Sequence, residues 1–287
     1  VYEAAVVGHR GFLGSAISRV FSEHGAGVLG HAADSPIVAH GALAEGVESV
    51  STVVWTAARV NPRLAVERPD LAAADVAEFA EFVELASALA YPPRVILISS
   101  GGTVYGANAT PPFRESTELM PINAYGEVKA RQEQILAESP LNGVALRVAN
   151  AYGPGQRPAP GQAVLAHWMS AVLEKRPVSV LGDPSATRDY VYIDDIAAAV
   201  YAAHQAHPPL PPAINVGSGR ATTLEQLLEA LTLAVAPEVV AVERGTARAT
   251  DASHSVLDVS LAQEVLGWTP RVGLEDGVRA MWDWMNS

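Results

Sequence analysis

The sequence predicts an α/β fold: a doubly wound parallel sheet followed by a smaller C-terminal α/β lobe. Three observations predict it. Short apolar runs alternate with segments of helical spacing through the first half of the chain. One of those runs, Val95-Ile96-Leu97-Ile98, is apolar without a break, as a strand covered on both faces of a parallel sheet should be. Glycines stand at 8, 11 and 14, at the first passage from an apolar run to a helical one.

The elements follow in order. Ala4-Ala5-Val6-Val7 reads as the first strand and ends at Gly8. Leu13 to His24 has helical spacing, with Ile17, Val20 and Phe21 on one face, and Gly25 stops it. Val28-Leu29 is a short second strand and Thr52 to Trp55 a stronger third; the stretch 33–50 between them is poor in strand signals. Asp70 to Leu89 is a long helix. Its Val76, Phe79, Val83 and Ala86 are apolar, and its Glu78, Glu81 and Glu84 read as a solvated edge. The strand at 95–98 comes next, then a helix from about Ala124 to Ala137 and the strand Val144 to Val148.

Beyond Tyr152 the alternation loosens. A turn-rich break runs from Gly153 to Gly161. After it come a helix (Val164 to Glu174), a strand (Val178 to Leu181), and Tyr190 to Ile193 leading into another helix. The strand Ile214 to Val216 and the helix Thr223 to Leu233 follow. We place a first domain at 1–157 and a second mainly at 158–287, with about 188–220 returning to the first. Trp168, Trp268, Trp282 and Trp284 read as helix-packing residues, and His204 and His207, beside a proline-rich loop, do not read as a metal site.

Composition narrows the function classes. The chain has 287 residues, 49% of them hydrophobic, which allows a large core. A formal net charge of −12 disfavours general nucleic-acid binding, yet a few placed arginines can still hold a small anion. The absence of cysteine excludes disulfides and thiolate metal sites. No apolar stretch has the length of a membrane span, so no membrane partner and a cytoplasmic location are expected.

Gly8-His9-Arg10-Gly11-Phe12-Leu13-Gly14 combines a tight turn, close backbone approach and a helix N-terminus, the arrangement that holds a dinucleotide pyrophosphate. Gly8, Arg10, Gly11, Phe12, Leu13 and Gly14 are therefore candidate cofactor-binding residues. No acid stands at the end of the second strand, where His31 and Ala32 do, so His31 joins the list. Arg10 can meet a 2′-phosphate. Both features favour NADP(H); NAD(H) stays open because Asp34 can reach back to the ribose.

Tyr125-Gly126-Glu127-Val128-Lys129 puts a tyrosine and a lysine at i and i+4, on one face of a helix. A phenol with an ordinary pKa near 10 exchanges protons poorly at neutral pH. A neighbouring ammonium favours phenolate and lowers that pKa. Lys129 and Lys175 are the only lysines, so the spacing is not a by-product of lysine abundance. Tyr125 and Lys129 are the candidate catalytic pair and also candidate cofactor contacts. Ser99 to Gly106 closes the strand at 95–98, where hydroxyls can meet a reacting oxygen.

With these motifs the chain resembles the extended short-chain dehydrogenase/reductase family, which includes sugar-nucleotide epimerases, dehydratases and ketoreductases. The resemblance rests on GHRGFLG at 8–14, TVVWTAA at 52–58, SSGGTVYG at 99–106, YGEVK at 125–129 and LRVANAYGPG at 146–155. It continues through RDYVYIDD at 188–195, INVGSG at 214–219 and LGWTP at 266–270. It implies a Rossmann-like domain, a C-terminal substrate domain, a nucleotide-diphosphate sugar as substrate and a homodimer. It adds Ala57 to the cofactor contacts.

The resemblance also exposes departures. Relatives carry a Ser or Thr four residues before the tyrosine of VYG, where this chain has Gly101; the hydroxyl then falls to Thr103, the preferred choice, or Ser100. The dehydratases carry an Asp-Glu pair where this chain has Gly102-Thr103, which argues against water elimination. On the substrate side it implies Asn150, Arg188, Arg248 and Asp251. The favoured expectation is an NADP(H)-dependent reductase of a 4-keto sugar nucleotide. A sugar-nucleotide 4-epimerase using NAD stands second, and a non-catalytic NADP-sensing protein third.

Overall fold

The computed structural model describes residues 2–106, 110–183, 185–245 and 254–287. Six parallel strands form its central sheet: β1 (Tyr2–Val7), β2 (Gly27–His31), β3 (Thr52–Trp55), β4 (Arg94–Ser100), β5 (Gly143–Val148) and β6 (Ala213–Val216). Their spatial order is β6-β5-β4-β3-β1-β2. The order reverses between β1 and β3, which opens a crevice at their carboxyl ends.

The helices among the described residues are α1 (Phe12–Glu23), α2 (Pro62–Glu67), α3 (Pro69–Ser87), α4 (Ala124–Glu138), α5 (Val164–Leu173), α6 (Ile193–Gln205), α7 (Leu224–Val235), α8 (Ser260–Leu266) and α9 (Leu274–Met285). α1 and α6 pack together on one face of the sheet, α3 and α4 on the other. Strand alternation shows why both faces close. Ala4, Val6, Val54, Ile96 and Leu146 join Ile17, Phe21 and Ile196 in one core. Ala5, Val53, Trp55, Val95 and Leu97 join Phe79, Phe82 and Val83 in the other.

Two features position the site. After β2 the chain forms only a small hairpin, Val38–Ala39 with Ala42–Leu43, and a short turn of helix, so β2 is the sheet edge. The weak strand signals at 33–50 have this outcome. At the other end β6, from late in the chain, pairs with β5. The loop behind it is tied down by Asp189, which is 1% exposed. Its carboxylate accepts from the Ser218 N–H at 2.7 Å, the Ser218 hydroxyl at 2.7 Å, the Gly219 N–H at 3.1 Å and the Leu257 N–H at 3.2 Å. One buried acid thus joins the RDY and INVGSG segments.

Candidate active site

A cavity of about 1330 Å³ opens at the carboxyl ends of the strands. At one end lies the glycine loop. Gly8 has φ +89°, a left-handed backbone that a side chain would strain, and a Cβ there would sit 2.6 Å from Thr56 Oγ1. A Cβ on Gly14 would collide with the Gly8 carbonyl, so α1 descends directly onto the loop. Gly11 caps α1 without any side-chain bond, which leaves first-turn N–H groups available to an anion. Gly8, Arg10, Gly11, Phe12, Leu13, Gly14 and Ala57 all border the cavity. The cradle fits a dinucleotide.

His31 differs from expectation. It is 5% exposed and absent from the cavity wall. Its carbonyl accepts from the N–H of Gly8 at 2.9 Å and of His9 at 3.3 Å, and lies 2.9 Å from His9 Nδ1. It shapes the glycine loop from behind. Burial holds its ring below the usual histidine range. Arg10 reaches the rim as predicted, but its guanidinium donates to both oxygens of Asp34, at 2.9 and 2.6 Å. The two sequence readings of the ribose corner thus meet in one ion pair.

At the other end is the reacting corner. Asn123 caps α4 by accepting from the Gly126 N–H at 2.9 Å. Any side chain at Gly126 would strike the Thr103 carbonyl, so the first turn of α4 lies against the loop after β4. This sets the start of α4 against the Thr103 main chain, and Tyr125, Ser100 and Thr103 all border the cavity. Lys129 lies one turn below, 3% exposed, with Nζ 5.8 Å from the centre of the Tyr125 ring. Nζ donates to Gln132 Oε1 at 3.3 Å. Burial pushes the Tyr125 phenol up to about 12, helped by the Asp75 carboxylate. Burial pulls Lys129 down to about 8, against the opposing pull of Asp75 and Glu133.

Gly101 is closely packed. A Cβ there would lie 2.6 Å from Leu257 Cδ1 and 3.0 Å from the Arg147 carbonyl, pointing into packed structure. Among the described residues Thr103 Oγ1 is buried without a hydrogen-bond partner, as is His31 Nε2.

On the substrate side, Asn150 and Arg188 border the cavity. Asn150 Nδ2 donates to the Asp189 carbonyl at 3.0 Å, and Arg188 donates to the Thr187 carbonyl at 3.0 Å. Arg248 and Asp251 lie outside the described residues.

The family model for the NAD dependent epimerase/dehydratase family matches residues 4–217. The chain belongs to that family. It is an NAD(P)-dependent enzyme of the extended short-chain dehydrogenase/reductase type. It is 35% identical over 251 residues to a UDP-glucose 4-epimerase of Mycolicibacterium smegmatis, covering 83% of this chain and 76% of that one. It is 34% identical over 191 residues to a dTDP-4-dehydro-6-deoxyglucose reductase of Escherichia coli, covering 64% of this chain and 59% of the reductase. Among solved structures it is similar to a UDP-glucose 4-epimerase of Thermus thermophilus in complex with NAD. That likeness has a TM-score of 0.86 and 27% identity and covers 99% of each chain.

This epimerase/dehydratase-family enzyme also places at its cavity residues that the sequence reading passed over. Arg157, inside the turn-rich break, borders the cavity and has no carboxylate partner among the described residues; an arginine between turn formers at a strand's carboxyl end was the available signal. Glu78 is not a solvated edge: it takes the Arg59 guanidinium at the cavity wall. Trp168 packs as expected, its Nε1 donating to the Ser179 carbonyl at 2.9 Å.

Proposed function

We propose that the enzyme reduces the 4-keto group of a nucleotide-diphosphate sugar at the expense of NADPH, with residues 1–157 holding the dinucleotide and 158–287 most of the substrate. The observation that carries this reading is that Tyr125 borders the same cavity as Thr103, with the buried Lys129 Nζ 5.8 Å from the centre of its ring. When bound, the nicotinamide supplies the hydride. Tyr125 gives its proton to the substrate oxygen. Lys129 favours the phenolate left behind and holds the nicotinamide ribose. Thr103 and Ser100 orient the oxygen, and Arg157, Arg188 and Asn150 take the diphosphate end. Gly102-Thr103 offers no carboxylate pair for water elimination, which supports a reductase over a dehydratase.

A second reading has its own support. Asp34 at the ribose corner suits NAD, and the epimerase relatives are matched over most of their length. A 4-epimerase would use the same residues and return the hydride to the other face. The test is turnover of purified enzyme on a panel of dTDP-, UDP- and GDP-linked 4-keto sugars with each reduced dinucleotide. Stoichiometric loss of reduced dinucleotide supports the reductase. Interconversion of hydroxy sugars by protein that retains bound NAD would sink it in favour of the epimerase. A homodimer belongs to the same proposal, with sedimentation as its check.

A further inference from the structure

Beside the two large cores lies a small one, made of Val104, Tyr105, Phe113 and Leu257, each no more than 4% exposed. Three of the four follow β4 closely in the chain. The fourth, Leu257, arrives from far downstream. It packs directly against the turn after β4: a Cβ on Gly101 would lie 2.6 Å from Leu257 Cδ1. That turn carries Ser100 and Thr103 to the cavity wall.

We propose that Leu257 is a positioning residue: its side chain is the support that holds the turn bearing Ser100 and Thr103 at the cavity. The proposal rests on reading those two hydroxyls as the groups that orient the reacting oxygen. The turn has bonds of its own. The Gly101 N–H donates to the Val148 carbonyl at 2.8 Å, and the Thr103 and Val104 N–H groups donate to the Ser100 carbonyl at 3.2 and 3.1 Å. These set its shape and tie its start to β5. They do not hold the Thr103 side chain, whose Oγ1 has no hydrogen-bond partner among the described residues. Gly101 and Gly102 add no side chains to pack. The place of Thr103 is therefore set by what lies against the turn, and a close-packed contact transmits position where a loose one does not.

Leu257 can serve because its own backbone is fixed from two sides. On one side His254–Ser255 pairs in parallel with Thr187–Arg188, and Arg188 borders the cavity. Two residues on, the Leu257 N–H donates to the buried Asp189 carboxylate at 3.2 Å. On the other side the chain runs along Phe113. The Phe113 N–H donates to the Val256 carbonyl at 2.8 Å, and the Asp258 N–H donates to the Phe113 carbonyl at 2.8 Å. Asn215 closes the arrangement. Its Nδ2 donates to the Phe113 carbonyl at 2.9 Å and the Asp258 carbonyl at 3.1 Å, and its Oδ1 accepts from the Tyr105 hydroxyl at 2.7 Å. The strand bearing Arg188 and the turn bearing Thr103 thus share one short segment, and Leu257 is its contact with the turn.

Leu257→Ala removes the support and leaves the main-chain bonds of the segment in place. Amide hydrogen exchange on the ligand-free full chain should show Gly101, Thr103 and Val104 exchanging roughly tenfold faster or more. The glycine-loop amides of Gly8 and Gly11, bonded to the His31 and Gly8 carbonyls, are the reference and should keep their rates. A general loss of stability would speed both sets alike. NADH and NADPH affinities, read by fluorescence titration, should not change. With a dTDP-4-keto-6-deoxy sugar, the hydride step at saturation should slow by about ten- to a hundredfold while KM moves little. Leu257→Met, which keeps the volume, should recover most of the rate. If Leu257→Ala does not fold, Leu257→Val should give the same signs at smaller size. Unchanged exchange at 101–104, equal acceleration in the glycine loop, or an unchanged hydride step overturns the proposal. A parent chain that does not turn the sugar over fails the reaction reading alone, and the exchange rates then decide by themselves.

Discussion

The cavity has two charged corners, and their surroundings could hardly differ more. At the ribose corner the Arg10 and Asp34 side chains keep 58% and 65% of their exposure. At the reacting corner Asp75 and Lys129 keep 4% and 3%. Coulomb's law is the same in both, but water and salt screen the exposed pair and reach the buried groups far less. The exposed pair can therefore exchange one partner for a ligand at small cost, which suits cofactor selection. The buried group cannot exchange partners and instead sets protonation states, which suits proton transfer.

The largest expected effect tests the reacting corner directly. Tyr125→Phe removes the proton donor and leaves the ring packing, so turnover should fall by roughly a thousandfold, within the range for general acid–base groups. Single-turnover hydride transfer at saturating substrate is the measurement. Undiminished turnover would mean that the buried corner does not move the proton, and the contrast between the corners would lose its chemical meaning.

The next effect concerns the support of that corner. Arg147 and Glu133 have side chains only 7% and 8% exposed, and Ser99 and Tyr105 complete their hydrogen bonding. Arg147→Met leaves a buried carboxylate unpaired and should cost about 3–5 kcal/mol in urea unfolding. Removing the exposed partner Arg10 should leave the unfolding midpoint nearly unchanged. Similar losses for the two variants would break the comparison.

How much of this was legible follows from where the information sits. The glycine loop and the Tyr125–Lys129 spacing are local: each needs only its own turn or helix, and the structure places the loop and Tyr125 at the cavity wall with Lys129 buried behind. The strand at 95–98 was equally plain, because burial on both faces removes alternation. His31 was misplaced because the residue that ends a strand can face either side of the sheet, and packing alone decides which. Asp75 and Glu78 could not be recognised, since their partners come from α4 and the loop after β3, brought together only by the docking of α3 on α4. The close packing of Gly101 against Leu257 and the Arg147 carbonyl is likewise a tertiary contact that the motif does not carry.

A smaller effect sharpens the reacting corner thermodynamically. Lys129 is pulled down to about 8 in the folded chain, against roughly 10.4 when unfolded. Between these values the unfolded chain holds a proton that the folded chain has released. More protons bound in the unfolded state means that stability rises with pH. Subtracting the unfolding free energy of Lys129→Met from that of the parent should give a difference that climbs from pH 8 toward pH 10, by at most about 1.4 kcal/mol per unit. The raised Tyr125 phenol is present in both proteins, so its own pH dependence cancels from the difference. A flat difference would mean that water reaches Lys129 and that the two corners are less unlike than their exposures suggest.

The smallest effect belongs to the exposed corner. With Asp34 in place, Arg10 carries no net excess of positive charge toward a 2′-phosphate. Asp34→Ala frees the guanidinium for bidentate phosphate binding and removes an acceptor for ribose hydroxyls. The ratio of NADP(H) to NAD(H) affinity should rise, by tenfold or less at low salt, since the site is open to solvent. The same measurement at high salt should show a smaller rise, because the screening that makes the pair exchangeable also weakens what replaces it. A rise that ignores salt would mean that bound dinucleotide buries this corner, and selection there would then work by the same low-dielectric means as proton transfer at the other end.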